Sequence, residues 1–250
     1  MIEGRAKPGR PGPSAGTGRR ATRGIAATRE KLGSIGDGAV VRSVRAARGS
    51  SGRCTISVGA QGKRPVSFTL DGTSAESLRL MPGDEWTDEL AERLRAALEL
   101  DHARRDAMAT LSRAPMSRRR LMRKLHERGY EEPVAVAVVE DLARVGLIDD
   151  RALAEAAARS MASRRPSGAR FIEMKLREKG FDGALAREAA AAALAERDPI
   201  EDALALARRK VAAMPASLGR EARRRRLYGM LARRGYDPSM CRRVIESVER

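Results

Sequence analysis

The sequence predicts a mainly α-helical protein, with three tandem three-helix repeats preceded by a small antiparallel β module and a disordered basic N-terminal tail. Three observations predict this class. Period-two alternation of apolar side chains is confined to the first third of the chain, one thirteen-residue pattern occurs three times further on, and the N-terminal segment has almost no large apolar side chains. The predicted segments are residues 1–38, 39–102, 103–150, 151–199 and 200–250.

The N-terminal segment, residues 1–38, is rich in Gly, Pro, Ser, Thr and Arg. It carries eight basic and three acidic residues. A segment of this composition cannot bury enough apolar surface to offset the entropy of ordering, so we expect a disordered basic tail.

The β module follows. Alternating apolar residues predict two strands around Cys54–Val58 and Val66–Leu70, the segment Gly59–Arg64 supplies a turn, and Val40–Val44 is the candidate third strand. The Asp71-Gly72 pair is expected to form the turn that closes the sheet. Residues 39–102 carry nine basic and nine acidic groups, so this module has no net charge and we expect it to serve docking or spacing.

A long helix is predicted from Thr87, because Asp88 and Glu89 suit the first turn and Leu90, Leu94 and Leu98 recur every four residues. No strand pattern recurs after it. The part from residue 103 onward carries 33 basic and 21 acidic residues, so it holds most of the net charge of +17.

The repeated pattern occupies residues 118–130, 169–181 and 224–236, which superpose without gaps. The first and third copies agree at eight of thirteen positions. Each copy predicts a helix whose buried stripe is an i, i+4 pair of apolar residues, namely Leu121 and Leu125, Ile172 and Leu176, and Leu227 and Leu231.

Each copy ends in Gly followed by an aromatic residue. The Gly is suited to the left-handed conformation that ends a helix, and we expect positive φ at Gly180. A Ser near the start of each copy is a candidate N-cap. These are Ser117, Ser167 and Ser217. A further helix is expected after each Gly-aromatic pair, opened by Glu132-Pro133, by Asp182 and by Asp237-Pro238.

The sequence contains no residue pattern that is typical of a catalytic site or a metal site. Cys54 and Cys241 lie far apart in the chain, so they and the two histidines cannot form a zinc finger, and no Gly-rich loop is present to cradle phosphates. Asp149 and Asp150 are interpreted as helix-capping residues, and His126 as a surface residue. We therefore expect no enzyme activity, no cofactor and no metal. No apolar run is long enough to span a bilayer, and the scarcity of cysteine favours a soluble, cytoplasmic protein.

The excess of positive charge points to a polyanionic partner. Aromatic residues make up only 3% of the chain, which favours contacts with phosphates over stacking on bases. Arg223, Arg226 and Arg233 are predicted to form a stripe pointing away from the buried leucines. The candidate residues for binding nucleic acid or a nucleoprotein filament are Arg118, Arg119, Arg120, Arg123, Lys124, Arg164, Arg165, Arg170, Arg223, Arg226 and Arg233.

The chain resembles the RecX family of bacterial recombinase regulators. The resemblance rests on the run from Leu142 through Val145-Gly-Leu-Ile-Asp-Asp150 to the second repeat copy, and on a strand module followed by three-helix units. It covers about residues 39–250. Members of this family bind the recombinase RecA and lie in the groove of its filament on single-stranded DNA.

The resemblance implies a regulatory protein, and not an enzyme, that inhibits the ATPase and strand exchange of RecA in homologous recombination, DNA repair and the SOS response. The implied partners of a monomeric chain are the RecA filament and single-stranded DNA, and binding of double-stranded DNA is left open. Two alternatives also stay open. A general nucleoid protein would bind bare DNA without regard to the recombinase, and an RNA-associated helical adaptor would prefer folded RNA.

Overall fold

The structure, a computed structural model, describes residues 18–47 and 52–249. These residues form eleven helices and three strands. The strands are β1 (Val40–Ala46), β2 (Arg53–Gly59) and β3 (Val66–Asp71). The helices are α1 (Gly18–Gly33), α2 (Gly72–Ser77), α3 (Asp88–Leu111), α4 (Arg118–His126), α5 (Glu132–Arg144), α6 (Asp150–Arg164), α7 (Ala169–Glu178), α8 (Gly183–Leu194), α9 (Pro199–Ala212), α10 (Arg220–Arg233) and α11 (Pro238–Glu249). The mainly α-helical prediction is confirmed.

The N-terminal segment differs from the prediction. Residues 18–33 form helix α1, and Leu32 and Ile35 pack against the core of the β module. The segment is rich in Ala and Arg, which favour helix without requiring many large apolar residues. The prediction of disorder through residue 38 is therefore wrong for residues 18–33. Residues 1–17 lie outside the described residues.

The β module is an antiparallel sheet, as predicted, and its strand order is β1-β2-β3. Ile56 pairs with Val44 on one side and with Phe68 on the other, so apolar residues of all three strands share one face. The Asp71-Gly72 pair does not close the sheet with a turn. Instead, the Asp71 side chain accepts a hydrogen bond from the Ser74 backbone amide and caps the short helix α2.

A buried carboxylate joins the sheet to α3. Asp101 is 2% exposed, and both of its oxygens accept hydrogen bonds from the Arg53 guanidinium, at 3.1 and 3.0 Å. The Arg105 side chain lies 3.2 Å from the same carboxylate. Because a buried charge is costly unless it is paired, these contacts fix the sheet on the helix that opens the first repeat.

The chain divides into two compact units. The first contains the described residues up to Thr110 together with Arg123–Val138, and the second contains Leu111–Met122 together with the described residues from Val139 onward. Helices α4 and α5 contribute to both units. The second and third repeats lie entirely within the second unit.

The second repeat, α6 to α8, has an alanine-rich core. Six buried alanines of α6 and α8 surround Ile172, Leu176 and Phe181 of the middle helix and its turn. Small side chains let helices approach closely, and larger residues then fill the centre. The third repeat, α9 to α11, packs Ala203 and Ala207 against Leu227 and Leu231. The predicted i, i+4 pairs are thus buried, and so are Leu121 and Leu125 of α4.

The three Gly-aromatic turns have one geometry. Gly129, Gly180 and Gly235 have φ values of 89°, 90° and 79°. The amide of the aromatic residue donates to the carbonyl five residues earlier at 3.2 Å for Tyr130, 3.2 Å for Phe181 and 3.3 Å for Tyr236. Each aromatic side chain is at most 5% exposed. The repeated Gly therefore ends its helix in the left-handed conformation, as predicted.

Candidate nucleic-acid interface

Several of the candidate basic residues lie where the middle helices of neighbouring repeats meet. At the first of these junctions, the end of α7 lies against the start of α4. The Ser117 hydroxyl donates to the Lys179 carbonyl at 3.0 Å and accepts from the Arg120 amide at 3.3 Å. The Arg118 amide donates to Asp150 Oδ1 at 2.9 Å. The start of α4 is therefore capped by its own serine and by a carboxylate of the second repeat.

The second junction brings the end of α10 to the start of α7. The Gly168 amide donates to the Arg234 carbonyl at 2.8 Å. The backbones are so close that a Cβ at Gly168 would overlap the Gly235 carbonyl, and a Cβ at Gly235 would overlap the Phe171 backbone. Only glycine fits at these two positions, so the close approach of the two backbones requires a glycine in each repeat.

The two junctions concentrate positive charge. Arg118, Arg119 and Arg120 open α4 beside Lys179, and all three arginines are exposed. The segments that meet at the second junction carry the predicted Arg165, Arg170 and Arg233 together with Arg234. Arg164, also predicted, is the exposed last residue of α6. Arginine side chains at both junctions can bind phosphates.

The predicted stripe on α10 is only partly present. Arg226 and Arg233 are exposed and form no ion pair with the residues that the structure describes. Arg223, in contrast, is partly buried, and its guanidinium lies 3.4 Å from the Leu218 carbonyl. The interhelix turn after residue 215 folds back over the start of α10, which helical spacing alone does not reveal.

The remaining predicted residues lie on α4. Arg123 is exposed and lies 3.7 Å from Glu127, whereas Lys124 is partly buried. An exposed pair of this kind contributes little to stability and remains open to a competing anion. His126 bridges Glu132 at 2.8 Å and the Tyr130 carbonyl at 3.1 Å, so it serves the turn between α4 and α5.

The carboxylate pair has the predicted capping role. The Asp149 side chain accepts from the Ala152 amide at 2.9 Å and caps α6. Its neighbour Asp150 caps α4, a role that the sequence did not indicate. Among the described residues there is no group of three or more His, Cys, Asp or Glu that could hold a metal ion. Within the same residues no helix is long and apolar enough to cross a membrane.

Sequence reasoning also missed residues of the junctions. Lys179 and Arg234 each directly precede the repeated glycine, and their carbonyls accept the hydrogen bonds that join neighbouring repeats. The repeat alignment offered a signal, because a basic residue precedes Gly in all three copies. That the ends of these helices meet other repeats depends on the tertiary packing.

The fold and these junctions define a class of protein, a basic array of three-helix repeats with a small β module at its N-terminal side. Comparison with known families identifies the array more closely. Models of the first, second and third three-helix domains of RecX match residues 103–142, 149–189 and 196–245.

Individual relatives agree with the family models. The chain is 41% identical over 133 residues to the regulatory protein RecX of Mycobacterium sp. (strain KMS), covering 52% of this chain and 72% of the relative. It is 36% identical over 146 residues to RecX of Streptomyces coelicolor, covering 58% and 77%. The chain therefore belongs to the RecX family of regulatory proteins.

Solved structures support the fold. A crystal structure of regulatory protein RecX matches with a TM-score of 0.66 and 23% identity, covering 84% of this chain and 98% of the other. RecX from Lactobacillus salivarius matches with a TM-score of 0.51 and 20% identity, covering 60% and 96%.

Proposed function

We propose that this protein binds the RecA recombinase filament and inhibits its ATPase and strand exchange during recombination and DNA repair. The observation that carries the proposal is the pair of basic junctions in a chain of the RecX family. The junctions lie within one compact unit and follow each other along α10, α7 and α4. A filament with a regular row of phosphates fits such a series of basic sites.

The physical basis is electrostatic and independent of base sequence. Arginines at the junctions replace counterions along the nucleic acid, so the affinity depends steeply on salt. We propose that the protein acts as a monomer in the cytoplasm, without catalysis, by occupying the filament. The β module, which has no net charge, would contribute docking to protein and not to DNA.

The test is the ATPase rate of RecA on single-stranded DNA with the protein titrated in. The junction variant carries Arg119→Glu, Arg170→Glu and Arg233→Glu. We expect that a higher concentration of this variant than of the wild type is needed to inhibit the RecA ATPase. The slope of the logarithm of the DNA-binding constant against the logarithm of the salt concentration should fall in magnitude by about 0.7 for each lost contact with single-stranded DNA. All three residues are exposed, so the fold should be retained.

A matched control carries the same three charge reversals on exposed arginines of the third helices, at Arg187, Arg242 and Arg243. This variant should inhibit the RecA ATPase at nearly the same protein concentration as the wild type does. If both variants lose inhibition equally, overall charge and not the junctions would account for binding. Inhibition that appears only when the protein saturates bare DNA would favour a general nucleoid protein.

A further inference from the structure

The sheet of the β module has one face in the core and one face toward solvent. Val44, Ile56 and Phe68 share the core face. Successive side chains of a strand point to opposite faces, so the alternate residues form the other face, which we call the outer face. The outer face consists of Ser43 and Arg45 of β1, Arg53, Thr55 and Ser57 of β2, and Ser67, Thr69 and Asp71 of β3.

Short hydroxyl side chains occupy the centre of the outer face. The strand register places Ser57 beside Ser67 and Thr55 beside Thr69. The hydroxyls of the serine pair are hydrogen-bonded at 2.9 Å, and those of the threonine pair at 3.1 Å. Each pair uses one of its two hydroxyl protons, so the other proton can be donated to an anion. Because Ser67 and Thr69 are exposed, a partner can reach these donors.

Basic side chains lie beside this centre. Arg45 is exposed on β1, and Lys63 and Arg64 are exposed in the turn between β2 and β3. Within the part of the chain that the structure describes, none of these three residues forms an ion pair. The two other charged residues of the outer face are engaged, because Arg53 pairs with Asp101 at 3.0 Å and Asp71 caps α2. The charge that is free to meet a partner is therefore positive.

The charge of the β module is separated along the chain. Residues 39–71, which contain the sheet, include six basic residues and one acidic residue. Residues 72–102, which contain α2 and the start of α3, include three basic and eight acidic residues. The module is neutral as a whole, but its sheet segment is strongly positive.

An acidic protein surface fits the outer face better than a nucleic acid does. The outward side chains of the three described strands include no aromatic ring, so bases cannot stack on them. Because the module has no net charge, it exerts little long-range attraction on a chain of phosphates. Carboxylates on a protein can accept hydrogen bonds from the hydroxyls and pair with Arg45 at short range.

We propose that the outer face docks an acidic surface of the recombinase. Carboxylates of the partner accept hydrogen bonds from the serine and threonine pairs and form ion pairs with Arg45, Lys63 and Arg64. This inference rests on the proposed function and adds a site for protein on the β module to the basic junctions of the repeats.

The experiment places opposite charges at one position of the outer face. Thr69→Glu introduces an anion and Thr69→Lys a cation, and both remove the hydrogen bond to Thr55, so any loss of stability is shared. Binding of the full chain is measured on an immobilised single strand of DNA, either bare or coated with RecA. On the coated strand, Thr69→Glu should bind about two- to fivefold more weakly than the wild type, the scale of one exposed ion pair. Thr69→Lys should bind at least as tightly as the wild type.

The bare strand distinguishes the two classes of partner. On bare DNA the two Thr69 variants should bind alike. If Thr69→Glu weakens binding to bare DNA as much as binding to the coated strand, the outer face contacts nucleic acid and the docking of protein is overturned. Equal binding of the two variants to the coated strand would also overturn it.

A second pair of variants tests the basic side chains. Arg45→Glu reverses a charge on the outer face and should weaken binding to the coated strand about two- to fivefold. Arg79→Glu is the matched control, because Arg79 is exposed in the same module but follows Leu78, which packs in the core on the opposite side of the sheet. The control should bind nearly as the wild type does. Equal losses in the two variants would assign the effect to overall charge and would refute the site.

The ATPase measurement separates this inference from the proposed function. Inhibition of RecA by the wild type, together with equal binding of the two Thr69 variants to the coated strand, would overturn the docking site alone. Selective weakening by Thr69→Glu on the coated strand, with no effect of the wild type on the ATPase, would overturn the proposed inhibition and leave the docking site in place.

Discussion

Gly180 combines two requirements in a single residue. Its φ of +90° ends α7, and an added Cβ would lie 2.8 Å from Ser117 Oγ and 3.5 Å from the Arg120 amide. The first requirement is local and follows from the repeated Gly-aromatic pattern. The second arises only because the end of α7 lies against the start of α4.

We predict that Gly180→Val destabilises the protein by more than a strained backbone alone does. Gly146 is a matched control, because its φ is +75° and an added Cβ would meet no atom within 4 Å. A β-branched residue in the left-handed region costs about 1–3 kcal/mol at either site. Gly180→Val should lose more than Gly146→Val in urea unfolding, because the junction must also open. Equal losses would mean that the contact with Ser117 is unimportant.

The middle helices share a buried stripe but begin in different ways. Ser117 caps α4 as predicted, whereas the predicted caps Ser167 and Ser217 do not cap α7 and α10. In those helices the N-cap is Gly168 or Gly219, and neither offers a side-chain acceptor. The gap-free alignment of the three copies places Gly168 and Arg223 opposite Ser117, so Ser167 and Ser217 lie one and six positions too early to cap their helices in the same way.

The two buried serines allow a direct comparison at the level of the helix. Ser117→Ala removes the cap of α4 and the hydrogen bond to Lys179, and we expect a loss of about 1–2 kcal/mol in the free energy of unfolding. Ser167→Ala removes only the bond to the Arg165 carbonyl and should cost less. Thermal unfolding followed by circular dichroism measures both. A larger loss for Ser167→Ala would contradict the assignment of the caps.

The positive charge is distributed unevenly along the chain. The repeats carry most of it, while residues 39–102 are neutral and contain all three described strands and the buried Asp101 pair. Helix α1 belongs to this module, because Leu32 and Ile35 pack against its core. A truncation that removes the N-terminal basic residues can therefore also remove part of the core.

Two truncations separate these effects. Deleting residues 1–17 removes three basic residues and one acidic residue, so affinity for bare DNA should fall slightly while the melting temperature and RecA inhibition are retained. Deleting residues 1–36 also removes α1 and should lower the melting temperature, because Leu32 and Ile35 are lost from the core. Loss of RecA inhibition in proportion to lost DNA affinity in the shorter deletion would indicate that the protein acts by coating DNA.

The sequence by itself determined the repeat, its helices and its turns. Leu121 and Leu125 are buried, Gly180 has positive φ and Asp149 caps α6. Each of these features depends on residues within about five positions along the chain, where helical periodicity and backbone sterics are decisive. The basic character of the repeats follows in the same way from composition.

Tertiary structure decided what the ends of these helices meet. Asp150 caps α4, whose start lies 32 positions earlier in the chain, and the Ser117 hydroxyl donates to the Lys179 carbonyl, 62 positions later. These outcomes depend on residues that are tens of positions apart in the chain, and no local periodicity encodes their distances. The effect of a residue such as Asp150 therefore depends on how the repeats pack.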